Sequence, residues 1–167
     1  MNLGSWILLV VGTPIAAAVG IGLVMVVGMR RKSPAVVDAV RRINRRLLNP
    51  RQMRTAGARD AFAAVIHHTG RTSGREYQTP IGAVPADDGF LVPLPYGTRA
   101  DWVKNVLAAG RADIVHAGRT HVVERPEVIP TNQVISEFGP SDRRALRMFA
   151  VDRCLRVRTT SVAADRH

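Results

Sequence analysis

Cysteine is almost missing from this chain. Cys154 is the only one among 167 residues, which excludes an internal disulfide framework and permits a reducing compartment. Lysine is nearly as scarce, two against twenty-two arginines, a bias that the base composition of a genome produces without bearing on function. The histidines His67, His68, His116, His121 and His167 have no metal-ligand spacing, so core or surface histidine is the default reading and no metal is expected. There is no internal repeat and no visible catalytic dyad. Charge is wholly absent between Ile7 and Gly28.

That last absence is the most informative. About 22 residues at roughly 1.5 Å each give ~33 Å, enough to cross a hydrocarbon core of ~30 Å. The expected anchor runs from Trp6 to Met29, with Trp6 as an interfacial aromatic at its outer edge. Pro14 and the glycines Gly12, Gly20, Gly22 and Gly28 weaken it little, because in lipid the freed backbone groups still favour helix. A cleaved signal peptide would put positive charge before a shorter apolar run. Here Arg30, Arg31 and Lys32 follow the run, which keeps that end in the cytoplasm. Residues 1–32 therefore read as a single-pass cell-membrane anchor with a basic stop, and the remainder as cytoplasmic.

The net charge of +11 is unevenly placed. From Arg30 to Arg59 ten basic residues stand against one acid, Asp38; from Asp60 to His167 fourteen basic residues meet twelve acidic ones. The basicity belongs to the membrane-proximal segment, which anionic lipid headgroups attract. The near-neutral remainder, with 5% aromatic residues overall, argues against specific nucleic-acid binding. Within residues 33–59, Ser33-Pro34 opens a helix whose Val36, Val37, Val40, Ile43, Leu47 and Leu48 share one face, with Arg41, Arg42, Arg45 and Arg46 around it. Such a basic amphipathic helix lies on the membrane or packs its stripe on the protein, and the two readings weigh equally. Asn49-Pro50 is expected to stop it.

Residues 60–167 hold roughly 110 residues' worth of core, enough for one domain. Short apolar runs broken by Gly, Pro and Asp predict antiparallel strands at Ala61 to His68, Glu76 to Val84 and Gly89 to Leu94. A helix is expected from Ala100 to Ala109, capped by Thr98 or Asp101 and ended by Gly110. A hairpin of Ala112 to His116 and Arg119 to Glu124 turns at Ala117-Gly118, Ser141-Asp142 caps a helix to about Ala150, and Cys154 to Arg158 adds a last strand. The fold class is mainly β, α+β: a small antiparallel barrel with covering helices.

Two segments carry candidate chemistry. Between His67 and Arg75 stand two glycines, three hydroxyls and two arginines. Glycines let successive backbone N–H groups turn to one side, and hydroxyls and guanidinium forks add donors, so a phosphate or carboxylate fits; a solvated polar hairpin turn is the plainer alternative. In the second segment, Trp102 and Asn105 lie three apart on one helical face near its start, where a planar ligand would stack. The plainer alternative there has Trp102 anchoring the helix and Asn105 making a local backbone bond.

Taken in order, His68-Thr69-Gly70-Arg71-Thr72-Ser73-Gly74-Arg75, Thr79-Pro80, Asp101-Trp102 with Asn105, and the stretch from Ala108 to Arg119 resemble the deazaflavin-dependent nitroreductase family, split β-barrel flavin/deazaflavin oxidoreductases of actinobacteria. The resemblance covers roughly Ala61 to Pro130. It implies hydride transfer from reduced coenzyme F-420, an 8-hydroxy-5-deazaflavin, to a quinone-like or nitroaromatic acceptor. FMN ranks behind F-420 as the cofactor. It also implies that Arg71, Ser73, Gly74 and Arg75 hold the coenzyme's phosphate and acidic tail, that Thr69, Gly70 and Thr72 of the same turn are cofactor-binding, and that Pro80 lies near the ring with Trp102 and Asn105 in the pocket wall. Thr72 stands where the family commonly has lysine, and Ser141 to Arg158 carries Phe149 but no tyrosine. Expected partners are anionic membrane lipids and an apolar acceptor, with a homodimer left open. The alternative is a non-catalytic lipid- or flavin-binding barrel at the membrane.

Overall fold

The computed structural model describes residues 20–44, 46, 49–61 and 63–160. The expected anchor from Trp6 to Met29 lies mostly outside them, as do Leu47 and Leu48. Among the described residues no helix is long and apolar enough to cross a membrane.

Seven strands form one antiparallel sheet: β1 (Ala64–Thr69), β2 (Glu76–Ile81), β3 (Val84–Ala86), β4 (Gly89–Pro93), β5 (Arg111–His116), β6 (Arg119–Pro130) and β7 (Arg153–Thr159). Their order is β2-β1-β5-β6-β7-β4-β3, so β2 and β3 are the two edges. Alternation explains each strand's placement. Ala64 and Ile66 of β1, Phe90 and Val92 of β4, Ala112 and Ile114 of β5, and Leu155 and Val157 of β7 enter one buried cluster. Leu91 and Cys154, which face the other way, join Ile129 in a second. One core shared by strands from across the sheet means that the sheet curls around it as a half-barrel.

Strand β6 serves both clusters. Glu124 pairs with Arg158, and Glu127 with Arg156, so three steps on β6 match two on β7. This bulge holds Arg125 at φ +52° and inserts one residue, which flips the alternation beyond it. Val123 before the bulge and Val128 after it therefore both pack on the first cluster. The strand expected to end at Glu124 runs on through Pro126 to Pro130. The expected single strand from Glu76 to Val84 is likewise two, β2 and β3, parted at Gly82-Ala83.

Helix α4 (Asp101–Ala109) buries Val103, Asn105 and Val106 against β1, β5 and β6. It ends, as expected, at Gly110 with φ +71°. Its N-cap is Ala100, without a side-chain cap, in place of Thr98 or Asp101. Helices α5 (Thr131–Val134) and α6 (Pro140–Met148) cover the second cluster through Val134 and Leu146. Ser141-Asp142 does not cap α6: Gly139 is the N-cap and Pro140 fills the first turn, where a missing N–H costs nothing.

Residues 20–30 form a helix, α1, and α2 follows at Pro34–Ile43. The two approach closely, since a Cβ on Gly28 would lie 2.5 Å from Val36. The Arg30 guanidinium donates to the carbonyls of Arg147 and Met148 at 2.8 and 3.2 Å, a cation at the C-terminal end of α6. Lys32 pairs with Asp152. Two residues of the expected basic stop thus also hold the N-terminal helices to the domain. Asn49-Pro50 starts α3 (Asn49–Gln52) rather than stopping a helix, since proline is tolerated in a first turn.

Glycine at position 89 is set by the sheet. A Cβ there would stand 2.1 Å from the Val157 carbonyl oxygen and 2.8 Å from Arg158 Cα, both backbone atoms of the paired strand. Gly89→Ala is expected to destabilise the fold by about 1–3 kcal/mol, whereas Gly82→Ala, with no atom within 4 Å of its Cβ, stays within about 0.5 kcal/mol. Urea unfolding of the two variants beside the parent measures the contrast.

Candidate functional site

A cleft of about 1,140 Å³ opens where β2 and the end of β4 face one another. Small-molecule sites commonly span roughly 300–1,000 Å³, so this one has room for an extended ligand. The turn after β1 supplies Gly70, Arg71, Thr72 and Ser73; β2 supplies Tyr77, Thr79 and Pro80; Asp101, Trp102 and Asn105 come from α4. Leu94 and Tyr96 line it from the loop after β4, and Asp38, Arg41, Arg42 and Asn44 from the end of α2.

Of the ten residues named from the sequence, seven line this cleft: Gly70, Arg71, Thr72, Ser73, Pro80, Trp102 and Asn105. Thr69, Gly74 and Arg75 do not, and the latter two close the turn. Gly70 N–H donates to the Arg75 carbonyl at 2.7 Å, and Gly74 N–H, at φ +66°, to the Gly70 carbonyl at 2.8 Å. Arg75 N–H points to Ser73 Oγ at 3.4 Å, and Arg71 N–H donates to Asn105 Oδ1 at 3.2 Å. These four N–H groups are committed within the protein. The turn also brings the side chains of Arg71, Thr72 and Ser73 to the cleft. Gly70 itself is required by space, for a Cβ there would meet Ser73 Oγ at 2.5 Å and Tyr77 Cε2 at 2.7 Å.

Asn105 is the centre of the arrangement. Its Oδ1 also accepts from Arg71 Nη1 at 2.9 Å, and its amide nitrogen lies 3.2 Å from His68 Nδ1. An amide N–H can only donate, so His68 Nδ1 accepts, and the ring proton sits on Nε2, 3.2 Å from Thr79 Oγ1. Arg71 reaches Asp101 at 3.6 Å, and the His68 ring stacks on Tyr77 at 5.8 Å. Trp102 both packs on the core and lines the cleft, so anchor and wall are one residue. The bond expected of Asn105 is to backbone, but to a residue 34 positions away.

No family model and no curated protein matches this chain. Among solved structures, HutZ, the heme storage protein from Vibrio cholerae, is similar over 62% of this chain and 84% of its own, at 12% identity and a TM-score of 0.48. A second is similar over 65% and 76% at 14% identity, with a TM-score of 0.41. A domain-swapped dimer is similar over 71% and 83% at 18% identity, with a TM-score of 0.32. Likeness of that degree carries neither ligand nor activity across.

The sequence reading missed the contribution of α2. Asn44 donates from its side chain to the Tyr96 hydroxyl, a contact across 52 positions that no local pattern announces. Burial pushes the Tyr96 pKa up, against the smaller downward pull of Asn44, so the phenol stays protonated. Burial first, and the neighbouring His67 second, push His68 below its usual 6.5. Its ring is neutral at physiological pH. Three arginines and two aspartates then carry the cleft's charge. Among the described residues no group of three or more His, Cys, Asp or Glu is placed to hold a metal ion.

Asn105→Ala leaves the buried His68 nitrogen and the Arg71 N–H without their partner, and is expected to cost about 1–3 kcal/mol in urea unfolding. The histidine adds a pH dependence with a definite sign. Because its folded pKa is depressed, its stabilisation is complete above the unfolded pKa of about 6.5 and is lost as pH falls below it. His121, also lowered, first by burial and then by His116 and Arg119, contributes in the same direction. Melting temperatures measured from about pH 7.5 to pH 5 should fall for the parent and fall less for His68→Gln. An equal fall in both would remove His68 as a cause.

Proposed function

We propose that this protein is a membrane-tethered oxidoreductase of the deazaflavin-dependent nitroreductase type, which passes a hydride from reduced coenzyme F-420 to a quinone-like or other apolar acceptor. One observation carries the reading. The two segments that resemble that family, some thirty residues apart in sequence, meet in a single large cleft and are joined there by the Arg71–Asn105 hydrogen bonds.

The residues present fit such a coenzyme. Trp102, Pro80, Leu94, Val92 and Ile81 give the cleft an apolar wall suited to a planar ring, and Arg71, Thr72 and Ser73 offer donors to an anionic tail. The hydride chemistry is supplied by the bound coenzyme, which leaves the protein to bind, orient and exclude water. His68 and Asn105 hold the Arg71 fork in one position. Tyr96, kept protonated by burial, presents a neutral hydroxyl to the same space. Membrane tethering is supported by the expected anchor and by Ile21, Leu23 and Val24 of α1, 63–65% exposed, a patch of the kind that seeks an apolar partner.

The alternative, a barrel that binds a lipid or flavin without catalysis, is favoured by the lack of a free acid or base at His68, whose two ring nitrogens both have partners. Titrating the detergent-solubilised full chain with F-420 separates the two, with Trp102 fluorescence as the readout. Micromolar binding and turnover of a soluble quinone with the reduced coenzyme are expected. No binding at tens of micromolar, with a lipid or flavin found by mass spectrometry of the purified protein, would establish the alternative.

A further inference from the structure

Helix α2 brings basic residues to the cleft from outside the domain's own motifs. Its stripe is not spent on a core: no residue of α2 is buried, and Ile43 is 45% exposed. Its polar side, meanwhile, lines the cleft with Asp38, Arg41 and Arg42. The helix is pinned at both ends, by the Arg30 and Lys32 contacts before it and by Asn44 on Tyr96 after it. Its arginines therefore stand on a fixed element of the site.

We propose that Arg41 and Arg42 bind the phosphate and acidic tail of the cleft's ligand, supplying from the tether helix the positive charge that the turn lacks at Thr72. The inference rests on reading the cleft as a coenzyme site. Charge distribution supports it. Arg71 faces Asp101 and Arg41 faces Asp38, each at 3.6 Å, so two of the three guanidinium groups have a carboxylate nearby and Arg42 supplies the excess cation. Arg42 donates Nε to the Asp38 carbonyl at 3.3 Å, which uses one donor of the five on a guanidinium. Planar forks of this kind suit phosphate and carboxylate oxygens, and two such forks one residue apart suit a tail with more than one anionic group. The cleft's volume exceeds what a ring alone would fill.

The experiment uses the full chain in detergent and the double variant R41A/R42A, with R41K/R42K to restore charge and R54A as a change in the same basic segment but away from the cleft. Four probes are applied: F-420, the same deazaflavin without its phosphate and acidic tail, inorganic tripolyphosphate, and vesicles of anionic lipid. R41A/R42A should weaken F-420 by about tenfold or more, flatten the salt dependence of its binding, and abolish tripolyphosphate binding. The tail-less ring should bind within about twofold of the parent value, since it lacks the phosphate and carboxylate oxygens that the two guanidinium forks would hold. R41K/R42K should recover most of the affinity, and R54A should match the parent. Unchanged F-420 and tripolyphosphate binding in R41A/R42A overturns the proposal. So does equal weakening of the tail-less ring, which marks a structural role for α2, and so does a loss confined to vesicle association. If the parent binds tripolyphosphate through these arginines but not F-420, the coenzyme reading fails and the anion site stands. If the parent binds neither, both fail.

Discussion

A buried side-chain amide has two acceptor lone pairs and two donors to place, and at Asn105 most of that capacity is spent on holding three separate parts of the chain together. Both bonds to Oδ1 come from Arg71, one from its backbone and one from its guanidinium, and the amide nitrogen faces His68. The end of β1, the turn after it and the first turns of α4 are thereby fixed relative to one another. Asn105 can do this because its neighbours Val103 and Val106 are fully buried on the same helix. Core packing of α4 thus sets where the amide points, and the amide sets where Arg71 points. The cleft's geometry descends from the hydrophobic core by that short route.

The half-barrel supplies the space. β2 lies at one end of the sheet, and the cleft is walled by it and by the end of β4. Edge strands need protection from pairing with other chains. Here β2 carries Pro80, paired with Val65, as edge strands tolerate, and α3 lies alongside. The same elements that blunt an edge therefore wall a binding site. The β6 bulge works toward the same end: by flipping the alternation it lets one long strand feed the core beneath the cleft and the cluster under α5 and α6.

Much of this was legible because it is local. Short apolar runs located β1, β4, β5 and β7, Gly89 and Gly118 marked turns between strands, and Gly110 marked the end of α4. The errors have physical causes. The bulge that carries β6 past Glu124 leaves no mark that the short apolar runs could show, and Pro50 reads as a helix stop, yet a first turn needs no N–H from it. The caps at Ala100 and Gly139 have no side-chain acceptor, so no residue type signals them. Seven of the ten candidate site residues gather in the cleft because they belong to compact motifs on adjoining elements. Glycine content reports backbone freedom and not where each N–H finally bonds, so the internal bonds of the Gly70, Arg71, Gly74 and Arg75 N–H groups were not legible. The part played by α2 was invisible, since the amphipathic pattern says that a face is polar without saying what the polar face meets.

The polar network also constrains what chemistry the cleft can perform. His68 uses one ring nitrogen on Asn105 and the other on Thr79, and burial keeps it neutral. To act as a base it would have to release the amide that positions Arg71, so proton transfer at this histidine and ligand binding at that arginine oppose each other. Tyr96 is held protonated in the same way, and its oxygen already accepts from Asn44. His68 and Tyr96 are thus both committed to architecture. A site built like this suits a ligand that brings its own reactivity and needs only to be held. Asp38, Arg41 and Arg42 line the cleft from α2, so the helix behind the expected anchor is part of its wall.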